Sequence, residues 1–241
     1  MFRSLITSNI TVLLAVLALL GCQPSTELEP MEEAPDASVT DDVAVTQMAG
    51  ITMKVDGGAW QGAAEVEDLV TPVWIEITNA GDAPLYVSYS NFNLVGAVEE
   101  YDALPAFEYE WIDGAPVLVT GYEPVAEPVY PLVDYYVAPY FSPAYPVVEP
   151  WGGVLVYDED YYGRFATVWR EMPLPTAEMQ RSALPEGVLP AGVTVSGFLF
   201  FEDVAEGEEK VNFMAQLENA DTNELMGTIR IPMEPEMTLE S

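Results

Sequence analysis

Apolar and polar residues alternate along most of the chain with a period of two. Val73, Ile75 and Ile77 alternate with Trp74, Glu76 and Thr78, the pattern of a strand with one buried face. Asn79-Ala80-Gly81-Asp82-Ala83-Pro84 supplies turn residues, after which Leu85, Val87 and Tyr89 resume the alternation. Towards the other end Val193, Val195, Leu199 and Phe201 form one set. Val211, Phe213, Ala215 and Leu217 form a second, and Leu225, Ile229 and Ile231 a third. The intervening EDVAEGEEK and ENADTNEL are polar breaks. Strands joined by turns, with almost no helical periodicity, predict an all-β fold, an antiparallel β-sandwich. One short helix is expected, because Thr176 can cap AEMQRSAL and Pro185 stops it after Leu184.

Between the two groups of strands lies an insertion of about residues 113 to 187. Its centre, EPVYPLVDYYVAPYFSPAYPVVEPW, is dense in tyrosine and proline and has no basic residue. So many aromatic and valine side chains argue for order, since disordered segments are poor in both. The segment is therefore expected to wrap over the sandwich, with GGVLVYDED, Gly152 to Asp160, adding a strand or hairpin. Two readings are open for Tyr130, Tyr135, Tyr136, Tyr140, Phe141, Tyr145 and Trp151. The rings either cover the apolar flank of the sandwich or stand out as a stacking surface for a glycan or a partner protein.

The strand-rich halves carry a resemblance. VWIEITNAGDAPLYVSYSNFNLV and LPAGVTVSGFLFFEDV with KVNFMAQLENADTNELMGTIRIPM resemble the halves of immunoglobulin-like (telokin-like) domains of bacterial secreted lipoproteins. In that family a polar turn links two core strands and a later glycine-containing strand lies across the sandwich. The similarity spans roughly 50–112 and 188–232. It implies a fold and a compartment, and no catalytic residue is carried over.

The amino terminus agrees with that compartment. Arg3 precedes an apolar run from Ile10 to Leu20 that only Thr11 interrupts, shorter than the roughly 20 residues of a membrane-spanning helix and fitting a secretory signal. Leu19-Leu20-Gly21-Cys22 resembles the lipobox of bacterial lipoproteins, and Cys22 is the only cysteine. The resemblance implies cleavage after residue 21 and lipid on Cys22. In enterobacteria-like sorting, Gln23 at the next position implies the outer membrane. Residues 23–48 hold seven acids, no base and three prolines, which predicts a disordered tether with a root-mean-square span of about 28 Å. The folded domain is then expected over 49–233 and an acidic tail over 234–241.

Charge narrows the partners. With 40 acidic and seven basic residues the formal net charge is −33. Nucleic-acid binding rests on Lys and Arg neutralising phosphates, so that class is excluded, and membrane contact is expected through lipid alone. Self-repulsion at this charge is relieved by salt, which suits a saline surrounding. The chain has no histidine, which removes His-dependent triads and His-based zinc sites, and no cofactor is expected.

Three chemistries remain as candidates. Asp158-Glu159-Asp160 is an acidic cluster for calcium, although three consecutive side chains cannot all face one ion and a solvated acidic turn is the simpler account. Met233 and Met237 offer thioethers suited to Cu(I), against which packing is the simpler role. A pair of carboxylates could run glycoside hydrolysis on envelope polysaccharide, but no nucleophile motif such as G-x-S-x-G or S-x-x-K accompanies them. The expected function is thus non-enzymatic, a binding or structural role at the bacterial envelope, with a carboxylate-based hydrolase as the alternative.

Overall fold

The computed structural model describes residues 25–32, 37–119, 124–166, 168, 174, 176–205 and 207–238. The strands in chain order begin with β1 (Ser25–Pro30), β2 (Ala37–Thr40), β3 (Val43–Met48), β4 (Ile51–Asp56) and β5 (Val70–Asn79). Next come β6 (Leu85–Val87), β7 (Phe92–Val95), β8 (Glu100–Leu104), β9 (Tyr109–Ile112), β10 (Ala115–Leu118) and β11 (Tyr136–Val137). The last four are β12 (Gly187–Leu189), β13 (Thr194–Glu202), β14 (Val211–Asn219) and β15 (Leu225–Thr238). Among the described residues they are accompanied by the helices α1 (Ala64–Glu67), α2 (Glu159–Phe165) and α3 (Ala177–Ser182). The fold is all-β, antiparallel and sandwich-like.

One layer runs β2-β3-β4-β5-β13, and the other runs β1-β15-β14 and continues through β6 and β7. β6 and β7 are two pieces of one line along β14, broken by a 3₁₀ turn at Tyr89–Asn91. β8 joins the layers by pairing with both β7 and β13. The alternation along β5 decides which side chains meet in the middle: Val73, Ile75 and Ile77 are fully buried, while Trp74, Glu76 and Thr78 are partly exposed. They share a core with Met53 and Val55 of β4, Leu199 of β13, Phe213 of β14 and Ile231 of β15. Phe201 and Phe213 meet edge-to-face across the layers with ring centroids 6.2 Å apart. Asn79 carries the chain from one layer to the other. Its buried amide donates to the carbonyls of Ala83 (2.9 Å) and Leu189 (3.0 Å) and accepts from the Gly81 N–H.

Four expectations fail. The tether is the first: residues 25–30, 37–40 and 43–48 are strands, with β1 paired to β15 over its whole length. Composition averaged over 26 residues hid two short β-rich runs, ASVT and VAVTQM, that flank a turn. In that turn Asp41 and Asp42 both have positive φ (50° and 61°), the geometry of a two-residue type I′ hairpin. Ala49-Gly50 makes the same kind of turn between β3 and β4, with φ of 51° and 81°. The tail is the second correction, since residues 234–238 belong to β15 and pair with β1. The third is GGVLVYDED, which forms no strand; the hairpin lies upstream, where Asp113-Gly114 joins β9 to β10. The fourth is Leu225, which is 61% exposed at the start of β15 instead of in the core. The expected helix is present as α3, with the Thr176 hydroxyl accepting from the Met179 N–H at 3.1 Å.

Candidate functional site

The Tyr/Pro segment turns its rings inward. Tyr135, Phe141 and Tyr145 are buried, and Tyr130, Tyr136, Tyr140 and Trp151 are half-buried, so none of the seven stands in solvent. Phe141 packs edge-to-face on Phe107 at 5.0 Å and on Tyr89 at 6.1 Å. Tyr145 donates to main-chain carbonyls at the end of α3, and Tyr130 tilts over Trp74 and Phe198 on the outer face of the sheet. Trp151 lies against Tyr136, its buried indole N–H without a hydrogen-bond partner among the described residues. The exposed stacking surface is thereby corrected: the sandwich offers these rings a place to remove apolar area from water, and they take it. Proline sets the path, with Pro139 opening a 3₁₀ turn over Pro139–Ala144 that drops Phe141 and Ala144 into the core.

One of those rings, Tyr140, helps to enclose a residue that no motif singled out. Glu186 sits in the run Leu184-Pro185-Glu186-Gly187-Val188-Leu189, an isolated acid among apolar and small residues, and it is 0% exposed. One carboxylate oxygen accepts from the Ser88 hydroxyl (2.7 Å) and the Tyr89 N–H (2.8 Å). The other accepts from the Tyr140 hydroxyl (3.1 Å) and the Tyr162 hydroxyl. The Tyr86 hydroxyl extends the network by bonding Tyr140 at 3.2 Å. The main chain of the same run is held as tightly. The Leu184, Pro185 and Glu186 carbonyls accept from the Tyr89 hydroxyl, the Tyr135 hydroxyl and the Ala138 N–H. Gly187 must be glycine, because a Cβ there would lie 2.1 Å from the Tyr136 carbonyl oxygen.

The electrostatics follow from burial. None of the four donors is a cation, and burial pushes the Glu186 carboxyl above its ordinary value, partly offset by the hydrogen bonds from Tyr162, Ser88, Tyr89 and Tyr140. Burial first, and the Glu186 carboxyl second, push the Tyr86, Tyr135, Tyr140, Tyr161 and Tyr162 phenols upward, so they serve as protonated donors. An ionised carboxylate has about four acceptor positions, and here four donors meet it. Beside the cage, Pro105, Tyr109, Pro116, Leu118, Tyr140, Phe141 and Tyr162 line an apolar recess of about 10 Å³, room for roughly one water. The arrangement therefore cross-links β6, the Pro139 turn, α2 and β12, and it presents no unfilled acceptor to a substrate.

The remaining candidates resolve individually. Cys22 lies outside the described residues. Asp158 is the N-cap of α2, accepting from the Tyr161 N–H at 2.9 Å, and Glu159 and Asp160 occupy the first turn. That placement suits the helix dipole; no group of three ligating side chains among the described residues is arranged to hold a metal. Met233 is fully buried in the core. A partly buried pair, Asp102 and Glu202, sits where the Asp102 N–H donates to Glu202 at 3.1 Å and Arg164 pairs with Asp102 at 2.9 Å. Burial raises both carboxyls, and Arg164 pulls each back down. Compared with protein-family models, with curated proteins and with solved structures, the chain has no match.

Proposed function

We propose that the chain is a lipid-anchored, extracytoplasmic β-sandwich of the bacterial cell envelope with a structural or binding role and no catalytic one. The observation that carries the non-catalytic half is Glu186. It is the most deeply buried acid among the described residues, and its acceptor positions are consumed by the chain's own donors. Glycoside hydrolysis needs a second carboxyl about 5 to 9.5 Å away and an open face for the sugar, whereas Glu186 is surrounded by phenols, a hydroxyl and an amide. Arg3, the apolar run and the sole cysteine at the lipobox position support the anchor. Strand order supports the immunoglobulin-like assignment, since β4-β5-β13 opposite β6/β7-β14-β15 matches the ABE and CFG groups of such sandwiches.

Metabolic labelling with a radioactive fatty acid tests the anchor. The wild-type chain should carry label and sediment with membranes, and Cys22→Ser should lose both properties; an unlabelled wild-type chain overturns the reading. The non-catalytic half is tested by incubating the purified protein with envelope polysaccharide. Sugar release that disappears in Glu186→Gln would refute it.

A further inference from the structure

The lipid anchor and the first strand are close enough to fix how the domain meets the membrane. β1 begins at Ser25 and is paired residue by residue with β15 from Ser25↔Thr238 to Pro30↔Met233. Only Gln23 and Pro24 separate it from Cys22, and three residue steps span at most about 10 Å even when fully extended. We infer that the lipid holds the sandwich close to the bilayer, with the β1–β15 tip and the ends of both layers on that side facing the headgroups. The inference rests on lipidation of Cys22 as proposed above.

The strand registers say what lies at that end. Glu202 of β13 is opposite Val70 of β5, and Asn212 of β14 is opposite Val95 of β7. The Leu28↔Gly57 bridge brings the chain after β4 to the same end. The facing surface is therefore made by the β1–β15 tip, the Asp41-Asp42 turn, α1, the 96–99 turn and the 207–210 segment. At the opposite end lie the 80–84, 190–193 and 220–224 turns, linked by bonds such as Ala220 N–H to the Pro84 carbonyl. β15 alone has 14 residues, a length of about 45 Å, so the two ends stand at very different heights above a bilayer. The facing end combines Val98, 85% exposed, with Glu65, Glu67, Glu99 and Glu209, set against Lys210 and against Arg164, which pairs with Asp102 beside Glu202. That chemistry fits a zwitterionic headgroup surface and is repelled by an anionic one.

Amide spectra of the lipidated full chain on phosphatidylcholine nanodiscs carrying a gadolinium-chelating headgroup provide the test. The Glu65, Val98 and Lys210 amides should lose severalfold more intensity than those of Asp82, Ala191 and Asn223. Inserting a Gly/Ser linker of about 20 residues between Pro24 and Ser25 should even out the loss, because a coil of that length releases the domain. Equal broadening at both ends of the short-linked, lipidated chain overturns the inference alone, and so does selectivity that survives the long linker. A native chain whose Cys22 proves unmodified by mass spectrometry removes the anchoring reading and this inference with it.

Discussion

Glu186 is a carboxyl held by neutral donors instead of by a counter-ion, and this sets its linkage to pH. Its folded-state value is raised above the unfolded one. Its stabilising contribution is therefore full below the unfolded carboxylate range and is lost as pH rises through the folded value. Glu186→Gln keeps an acceptor for Ser88 and Tyr89 and offers donors to Tyr140 and Tyr162, whose hydroxyls can turn to accept. Urea midpoints should show Glu186→Gln equal to or above wild type at pH near 7, with the difference shrinking as pH falls towards about 4. Glu186→Ala should lose about 3 to 5 kcal/mol, because buried donors are left without their charged acceptor. The sequence shows Glu186 only as an acid stranded in an apolar run, which is a signal of a buried polar node but names none of its partners. Ser88, Tyr140 and Tyr162 are separated from it by 98, 46 and 24 positions, and only the topology brings them together. The opposite holds for Thr176 and Asp158, whose capping bonds are local: Thr176 was legible from its neighbours, and Asp158 was obscured by its neighbouring acids.

Hairpins and the strands beside them differ in how plainly the sequence marks them. Strands with strict alternation, β5 and β14, were legible because one face of each meets the core along its whole length. β2 and β3 were not, because Ala, Thr and Ser fill positions where larger apolar residues would have marked a buried face. Asp113-Gly114 was a stronger signal than GGVLVYDED, since an Asp-Gly pair between β-rich runs meets the two positive φ angles of a type I′ turn. The turns also predict opposite responses. Ala49 has φ of 51°, so Ala49→Gly should stabilise by about 1 kcal/mol by relieving a left-handed residue. Gly114 has φ of 78° with open space around an added Cβ, so Gly114→Ala should destabilise by about 1 kcal/mol through backbone strain alone. Denaturant midpoints check both signs.

At the scale of the whole molecule, charge and burial act on stability in the same direction. Besides Glu186, burial is the largest cause that raises the Glu29, Asp56, Asp102, Glu202 and Glu218 carboxyls. Like-charged partners also raise Glu29, whose cross-strand neighbour is Glu234. Groups of this sign favour folding as they protonate, whereas Glu208, lowered chiefly by the Ala97 N–H, loses its contribution only at acid pH. The thermal midpoint should therefore rise on acidification from pH 7 to about 5 and rise again between low salt and about 1 M salt, where the screening length is short. A midpoint flat in both series would contradict this account. Such acidity was legible as a total, but the paired Glu27↔Glu236 and Glu29↔Glu234 positions were not, because nothing local places the first strand beside the last. That adjacency has a mechanical consequence. The start of β1 and the end of β15 lie side by side and point the same way out of the sheet, so a load drawn between the two termini opens their ladder one hydrogen bond at a time. The molecule is therefore a zipper under end-to-end tension, soft at its first strand while the layers behind it stay closed.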